Sequence, residues 1–354
     1  MKTKRKTMIL VASAASAALL AGCGGGAAAP KASADVGDDI NAICEAGKEE
    51  GAIQRWASSS NDTYAQEIKP FTDKYGIEVV HTDVDPGGIT PRIMAEKQAG
   101  RAFSPDVVEG STIDFVPVLN ENYLQKIDWT AAPFNFPEDH LTKGTETPGL
   151  RIFRTFSGIA YNTDEVAEAD LPSTFEELAD AEWAGRINIQ PNGAYFSHLP
   201  NAKVMGSEGA KAWLDKFLEE AEPVPLHGGT AGIQAVAAGQ LDISSNATFD
   251  KVEEFVELSG GPVGFKYLDY VNVTDHAAYI VKDSPRTNAV KCYLAWWGTD
   301  EAAAQRHKYE YKTNDTSPED LPEGSQLVAM ETLEDIAIAE DFTGYISESF
   351  LEAD

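Results

Sequence analysis

Short β-branched runs alternate with helical patterns along most of this chain, and no other feature restricts its fold so strongly. A helical stretch over Ile40–Glu50 leads into the run Ala52–Ala57 and then the polar loop Ser58–Asn61. Tyr64, Ile68 and Phe71 follow at helical spacing, Gly76 ends that helix, and Ile77–Val80 reads as the next strand. A helix over 89–100 and a short buried strand at Asp106–Val108 complete a β-α-β-α-β order. That order implies parallel strands covered by helices on both faces. The alternation returns after Asn162. It predicts a strand at Ile187–Ile189, a helix from about Tyr195, helices over Ala210–Ala221 and Ala231–Gly239, and a strand at Leu241–Ile243. With 354 residues the chain is long enough for two domains of ordinary size.

The amino terminus bounds where such a fold works. Lys2, Lys4, Arg5 and Lys6 precede an apolar run from Met8 to Leu20, which is too short to span a bilayer and reads as a secretion signal over residues 1–22. Residues 23–37 are rich in Gly and Ala, lack an apolar period and read as a flexible tether. The junction Leu20-Ala21-Gly22-Cys23 resembles the lipobox of bacterial lipoproteins, which implies lipidation of Cys23. The expected location is extracytoplasmic, lipid-anchored to the cell membrane, at the cell surface or in the periplasm. The chain holds 57 acidic against 28 basic residues, for a formal net charge of −29, and the signal removes only basic ones. A surface of that sign repels nucleic acid. With Cys23 set aside, Cys44 and Cys292 remain, and a disulfide and two core thiols both stay open.

Several segments together resemble the substrate-binding proteins of ABC importers, in the branch that contains ferric-iron-binding and related small-solute receptors. They are DKYGIEVV (73–80), ITPRIMAEKQAGR (89–101), PDVVEG (105–110), GIAYNTDEV (158–166), LPSTFEELADAEWAGRI (171–187), IQAVAAGQLDI (233–243) and SPRTNAVKCYLAWW (284–297). The resemblance implies a two-lobed, type II periplasmic-binding-protein-like α/β fold, each lobe a mainly parallel sheet flanked by helices, with a ligand cleft between them. Lobe one is expected over 38–160 plus 268–354 and lobe two over 161–267, with crossings near Gly158–Asn162 and Gly264–Tyr270. The implied partners are an ABC permease with its ATPase subunits, and the chain is expected to be a monomer.

In doubly wound sheets, ligands sit beyond the carboxyl ends of the strands. The loops that should lie there supply Ser59, Ser60, Asn61 and Ser111 in the first half, and Asn192, Gly193, Ala194 and Thr230 in the second. Free backbone N–H groups at helix starts suit an anion, although serines and asparagines in such loops also simply cap helices. Tyr64, Tyr195 and Tyr270 are candidates for stacking on a ligand, and Asn246 follows the LDI strand. In the ferric-binding branch two adjacent tyrosines after that strand hold the iron, whereas here the sequence reads Ser244-Ser245-Asn246-Ala247-Thr248-Phe249-Asp250. Hard Fe(III) prefers anionic oxygen, so this departure puts an anionic or zwitterionic organic solute first. Ferric iron, polyamine or thiamine become the alternative cargo.

No metal or cofactor is expected. His81, Asp83 and Asp85 alternate on what reads as a solvated strand exit, and the other histidines lack metal spacing. No G-x-S-x-G elbow or H-E-x-x-H helix occurs, which sets an enzyme behind a receptor; an adhesion lipoprotein does not call for a loop-lined cleft. The lipid anchor has a direct test. Cys23→Ser should release the protein from the membrane fraction or leave the signal uncut, and normal processing with full membrane retention would refute lipidation.

Overall fold

The computed structural model describes residues 36–85, 87–314, 318 and 321–351. Cys23, the signal and most of the tether lie outside that range. Ten strands form one mixed sheet path in chain order: β1 Ile53–Ala57, β2 Val79–Asp83, β3 Val107–Ser111, β4 Leu150–Asn162, β5 Ile187–Ile189, β6 Val224–Pro225, β7 Ile243–Thr248, β8 Val263–Lys266, β9 Tyr270–Ile280 and β10 Gln326–Ala329. The order across the path is β2-β1-β3-β9-β4-β7-β5-β6, with β10 on β9 and β8 on β4. β1, β2 and β3 are parallel, as are β5, β6 and β7; the long strand β4 runs antiparallel to its neighbours, and β9 is antiparallel to β3 and β4 but parallel to β10.

Local chemistry explains the elements that flank the sheet. Ser60 caps the helix Asn61–Tyr75 by accepting the Thr63 N–H at 3.1 Å, and Gly76 closes it in the left-handed conformation at φ 67°. Between the caps, Tyr64, Glu67, Ile68 and Phe71 recur on the buried face. The helix expected from Tyr195 is instead a three-residue 3-10 turn, Ala194–Phe196. Pro200 accounts for the shortfall, since proline lacks an N–H and steers the preceding residue away from helical geometry. Among the described residues no helix is long and apolar enough to cross a membrane.

The path divides into two lobes because β4 changes partners along its length. Leu150–Phe156 pair with β9, and Ser157–Asn162 pair with β7 and β8. One apolar core gathers Ile53, Val107, Ile152, Ile280 and Trp297; the other gathers Ile187, Ile189, Ile243, Trp213 and Phe217. Phe342 and Ile346 of the helix Leu333–Leu351 belong to the second core, so this helix does not follow the expectation that all of 268–354 returns to lobe one. Its apolar face packs on the helix Gly206–Glu220 and, through Ile346, on the turn at Gly193. Cys44 and Cys292 are bonded to each other, joining the helix Ile40–Gly47 to the helix Thr287–Trp297.

The first core also encloses charge. Arg55 on β1 meets Glu109 on β3 at 2.5 Å, with both side chains nearly inaccessible. Tyr293 donates its hydroxyl to the other Glu109 oxygen at 2.8 Å, and the Arg55 guanidinium lies 4.0 Å over the Tyr64 ring. Removing one partner leaves the other charged, buried and uncompensated, a loss of about 3–5 kcal/mol for such pairs, whereas an apolar replacement of both is often neutral. Glu109→Ala should therefore destabilise by roughly that amount in chemical denaturation. Arg55→Met combined with Glu109→Leu should recover most of the loss, and equal losses in the single and double variants would refute this account.

Candidate functional site

Strand polarity brings the loops of both lobes to one gap. β1, β2 and β3 end at a common edge, and β9 lies antiparallel to β3 with Ser111 opposite His276. β4 is antiparallel to β9 in turn, so it leaves the first sheet at that same edge. It enters the second with Ser157 opposite Thr248, the last residue of β7. The carboxyl ends of both parallel sets thus face the space that β4 crosses, the position where such sheets bind ligands.

In lobe two the convergence is tight. The helix Gly229–Ala237 starts without a side-chain cap, and the N–H groups of Gly229, Thr230 and Ala231 have no acceptor among the described residues. A methyl group on Gly229 would lie 2.5 Å from the Tyr195 hydroxyl and 3.1 Å from the Asn246 carbonyl oxygen, so three separate loops meet at this helix start. Ser244 lies under Gly232 of the same helix, and Asn246, two residues on, shares its strand face one step nearer the helix start. The Asn246 amide nitrogen is buried with no partner, while its oxygen stands 3.1 Å from the Ser245 hydroxyl, which donates to it. Tyr195 is half-buried and makes no side-chain hydrogen bond; burial, then the nearby Asp250 charge, push its phenol up to about 12.

Several expected contacts have other work. Tyr64 is 2% exposed beneath Arg55, so it is a core residue, not a stacking surface. Ser60 caps its helix. Ser59 Oγ stands 3.4 Å from Arg55 and 3.3 Å from His81, which ties the loop to the buried ion pair. His81 is thereby a partner of Ser59 and Arg55, and among the described residues no group of three His, Cys, Asp or Glu is arranged for a metal. Asn61 and Asn192 are exposed, and Ser111 is half-buried at the end of β3. At the Asn192–Ala194 turn, the Gly193 N–H goes to Gln190 O at 2.9 Å and the Ala194 N–H to Asn192 Oδ1 at 3.2 Å. Those two N–H groups are therefore taken up within the turn and are not free for an anion. Thr230 is exposed on the first turn of its helix, and Tyr270 is half-buried at the start of β9.

Two charged residues approach each other at the gap. Lys312 pairs with Glu310 at 2.9 Å, both nearly buried, and lies 4.4 Å over the Phe153 ring. Its neighbour Thr313 accepts the Arg154 N–H at 2.8 Å, which holds this segment against β4 just before the strand changes sheets. Across the gap stands Asp250, 6% exposed, on the first turn of the helix Phe249–Ser259; burial raises its carboxyl and Lys312 opposes that rise. Ordinary polar spacing gave no hint that Lys312 would come close to Asp250.

Residues 66–332 match the family model described as bacterial extracellular solute-binding protein. The chain is similar to "Iron uptake protein A1" of Synechocystis sp. (strain ATCC 27184 / PCC 6803 / Kazusa), 26% identical over 201 residues, 55% of this chain and 52% of that protein. It is also similar to the "Fe(3+)-binding periplasmic protein" of Serratia marcescens, 30% identical over 146 residues, 38% of this chain and 43% of that one. The chain thus spans about half the length of the curated relatives it matches. In fold it is similar to iron-bound HitA from Pseudomonas aeruginosa, with a TM-score of 0.69, 18% identity, and cover of 84% of this chain and 99% of that one.

The Gly193 turn generates a test of its own. Gly193 adopts φ 65°, and a methyl group there would lie 2.6 Å from the Ile346 side chain of the C-terminal helix. A β-branched side chain combines strain with this collision, on the order of 1–3 kcal/mol for the backbone alone. Gly193→Val should lower the melting temperature of the unliganded protein, and Ile346→Ala in the same chain should restore part of it. An unchanged melting point would show that the turn tolerates the side chain.

Proposed function

We propose, for a chain that belongs to the bacterial extracellular solute-binding protein family, that it captures a small solute outside the cytoplasmic membrane and delivers it to an ABC permease. One observation carries this: the carboxyl edges of both sheets face a single gap spanned by β4, so a solute there touches both lobes. Such a solute draws the lobes together through contacts made only when they close. A capture role without chemistry is supported by the character of the family, and a Cys23 lipid anchor and a monomeric state complete the proposal.

The names of the relatives favour ferric iron over the anionic or zwitterionic organic solute that the sequence put first. The residues of this cleft favour a particular form of it. Ala247 and Thr248 supply no phenolate or carboxylate, and no cluster of His, Cys, Asp or Glu among the described residues can replace them. Iron therefore enters as a chelate whose own anionic oxygens fill most of the coordination sphere. The helix start at Gly229–Ala231 and the Asn246 amide then meet the chelate's outer oxygens. The same missing ligands support a metal-free anionic or zwitterionic solute as the second reading. Calorimetric titration with ferric citrate and with citrate alone separates the two. Ferric citrate should bind at one equivalent and at least about tenfold more tightly; tighter binding of citrate alone, or of an iron-free solute, would overturn the ferric reading.

A further inference from the structure

A buried carboxylate beside the gap remains without a charge partner of its own. Asp250 is 6% exposed, and its Oδ1 has no hydrogen-bond partner, while the Thr248 hydroxyl supports the carboxyl group. Two lysines lie near it, and each is bound to a different carboxylate: Lys312 to Glu310 at 2.9 Å and Lys251 to Glu254 at 2.8 Å. The remaining neighbours offer no cation, since they are the Tyr195 phenol and the like-charged Glu253. A carboxylate taken out of water without a partner costs several kcal/mol. The position of Asp250 is fixed by the first turn of the helix that follows β7, between the loops of lobe two and Lys312 of lobe one. The carboxyl group is thus placed beside the β4 crossing, where the two lobes approach each other, with its Oδ1 buried.

We infer that the Asp250 carboxylate contacts the positive centre of the cargo. This rests on the receptor reading above and deepens it: the cargo carries a cationic centre, either a metal ion inside a chelate or a protonated amine, together with the anionic oxygens that meet the Gly229–Ala231 helix start. A purely anionic solute does not meet that description, because it would set like charge against Asp250. Asp250 also gives the first lobe a means of sensing the cargo. Neutralising it removes one of the acidic groups near Lys312, leaving Glu310 and Glu67 of the first lobe.

The test uses the processed full-length protein, wild type and Asp250→Asn, with ferric citrate, citrate alone and spermidine as probes. Calorimetry should show ferric citrate bound by the wild type and weakened at least about tenfold in Asp250→Asn, with citrate alone unchanged or tightened. The melting temperature of unliganded Asp250→Asn should be unchanged or higher, since the substitution removes an unpaired buried charge, and Asp250→Ser serves as the second variant. If spermidine is the tight ligand and Asp250→Asn abolishes its binding, the inference stands and the ferric reading falls. Equal affinity of wild type and Asp250→Asn for whichever probe binds would overturn the inference while leaving the receptor reading intact. Citrate alone as the tightest ligand, or no probe bound by the wild type, overturns it as well. So does a lower unliganded melting temperature in both variants, which would assign Asp250 a structural role.

Discussion

The site depends on one strand being shared by two sheets. β4 satisfies its backbone groups against β9 over its first half and against β7 and β8 over its second. No buried stretch of irregular chain is therefore needed where the lobes join, and the backbone hydrogen-bond requirement is met through the crossing itself. The return path is short, from Lys266 at the end of β8 to Tyr270 at the start of β9. Both connections leave from carboxyl edges, and this alone determines which loops face each other. Arg154 on β4 and Asp275 on β9 pair at 2.5 Å close to the crossing, and Thr313 accepts the Arg154 N–H there, so the junction is also where the C-terminal segment is fastened.

Buried polarity in this molecule gathers at two places, one inside the first core and one at the β4 crossing. Around Arg55 the network is dense: Glu109, Ser59 and His81 take up its two terminal nitrogens, Tyr293 donates to Glu109, Tyr64 and Trp297 cover the guanidinium, and Nε alone is left without a partner. A hydrogen-bonded ion pair in low dielectric stiffens the element that carries it. Here that element is β1, with the loop after it. Around the Gly229 helix start the network is open, with the Asn246 amide nitrogen and Asp250 Oδ1 both unanswered by protein groups. Native proteins seldom leave such groups buried, and those they leave call for a functional reason. What sets the second pair apart is their place, at the β4 crossing rather than inside the first core.

Elements with strong local signals were legible in the sequence. The helix Asn61–Tyr75 carries an apolar face and both caps, and β1 and β3 are short β-branched runs flanked by turn residues. β4 and β9 were not, although the crossings were expected near them. β4 is buried over Leu150–Phe153 without alternation, because helices cover one face and the strand bulges at Arg151, and polar residues interrupt β9 at Thr274–His276. Neither run shows the two-residue period that marks a half-buried strand. Tyr64 illustrates a limit of another kind. A tyrosine just after a strand-end loop reads as ligand-facing, yet it points inward, where its ring lies against the guanidinium of Arg55, nine residues earlier in the chain. The C-terminal helix was assigned to the wrong lobe for a related reason: its apolar stripe is visible in the sequence, but the identity of the surface it covers is not.

A conserved architecture leaves the cargo to a few side chains at the gap, since fold by itself does not determine function. A solute shifts the balance between open and closed lobes only by contacts that differ between those states. Helix caps such as Ser60 and Asn192 stay within their own turns and contribute equally to both. Groups that approach one another across the crossing contribute unequally, and in this chain those are Lys312 with Glu310 on one side and Asp250 with Tyr195 on the other. Specificity should accordingly reside near the β4 junction, in residues that no loop motif announces. The serine-rich loop Ser58–Asn61 serves the rigidity of lobe one as well, through Ser59 beside Arg55 and His81.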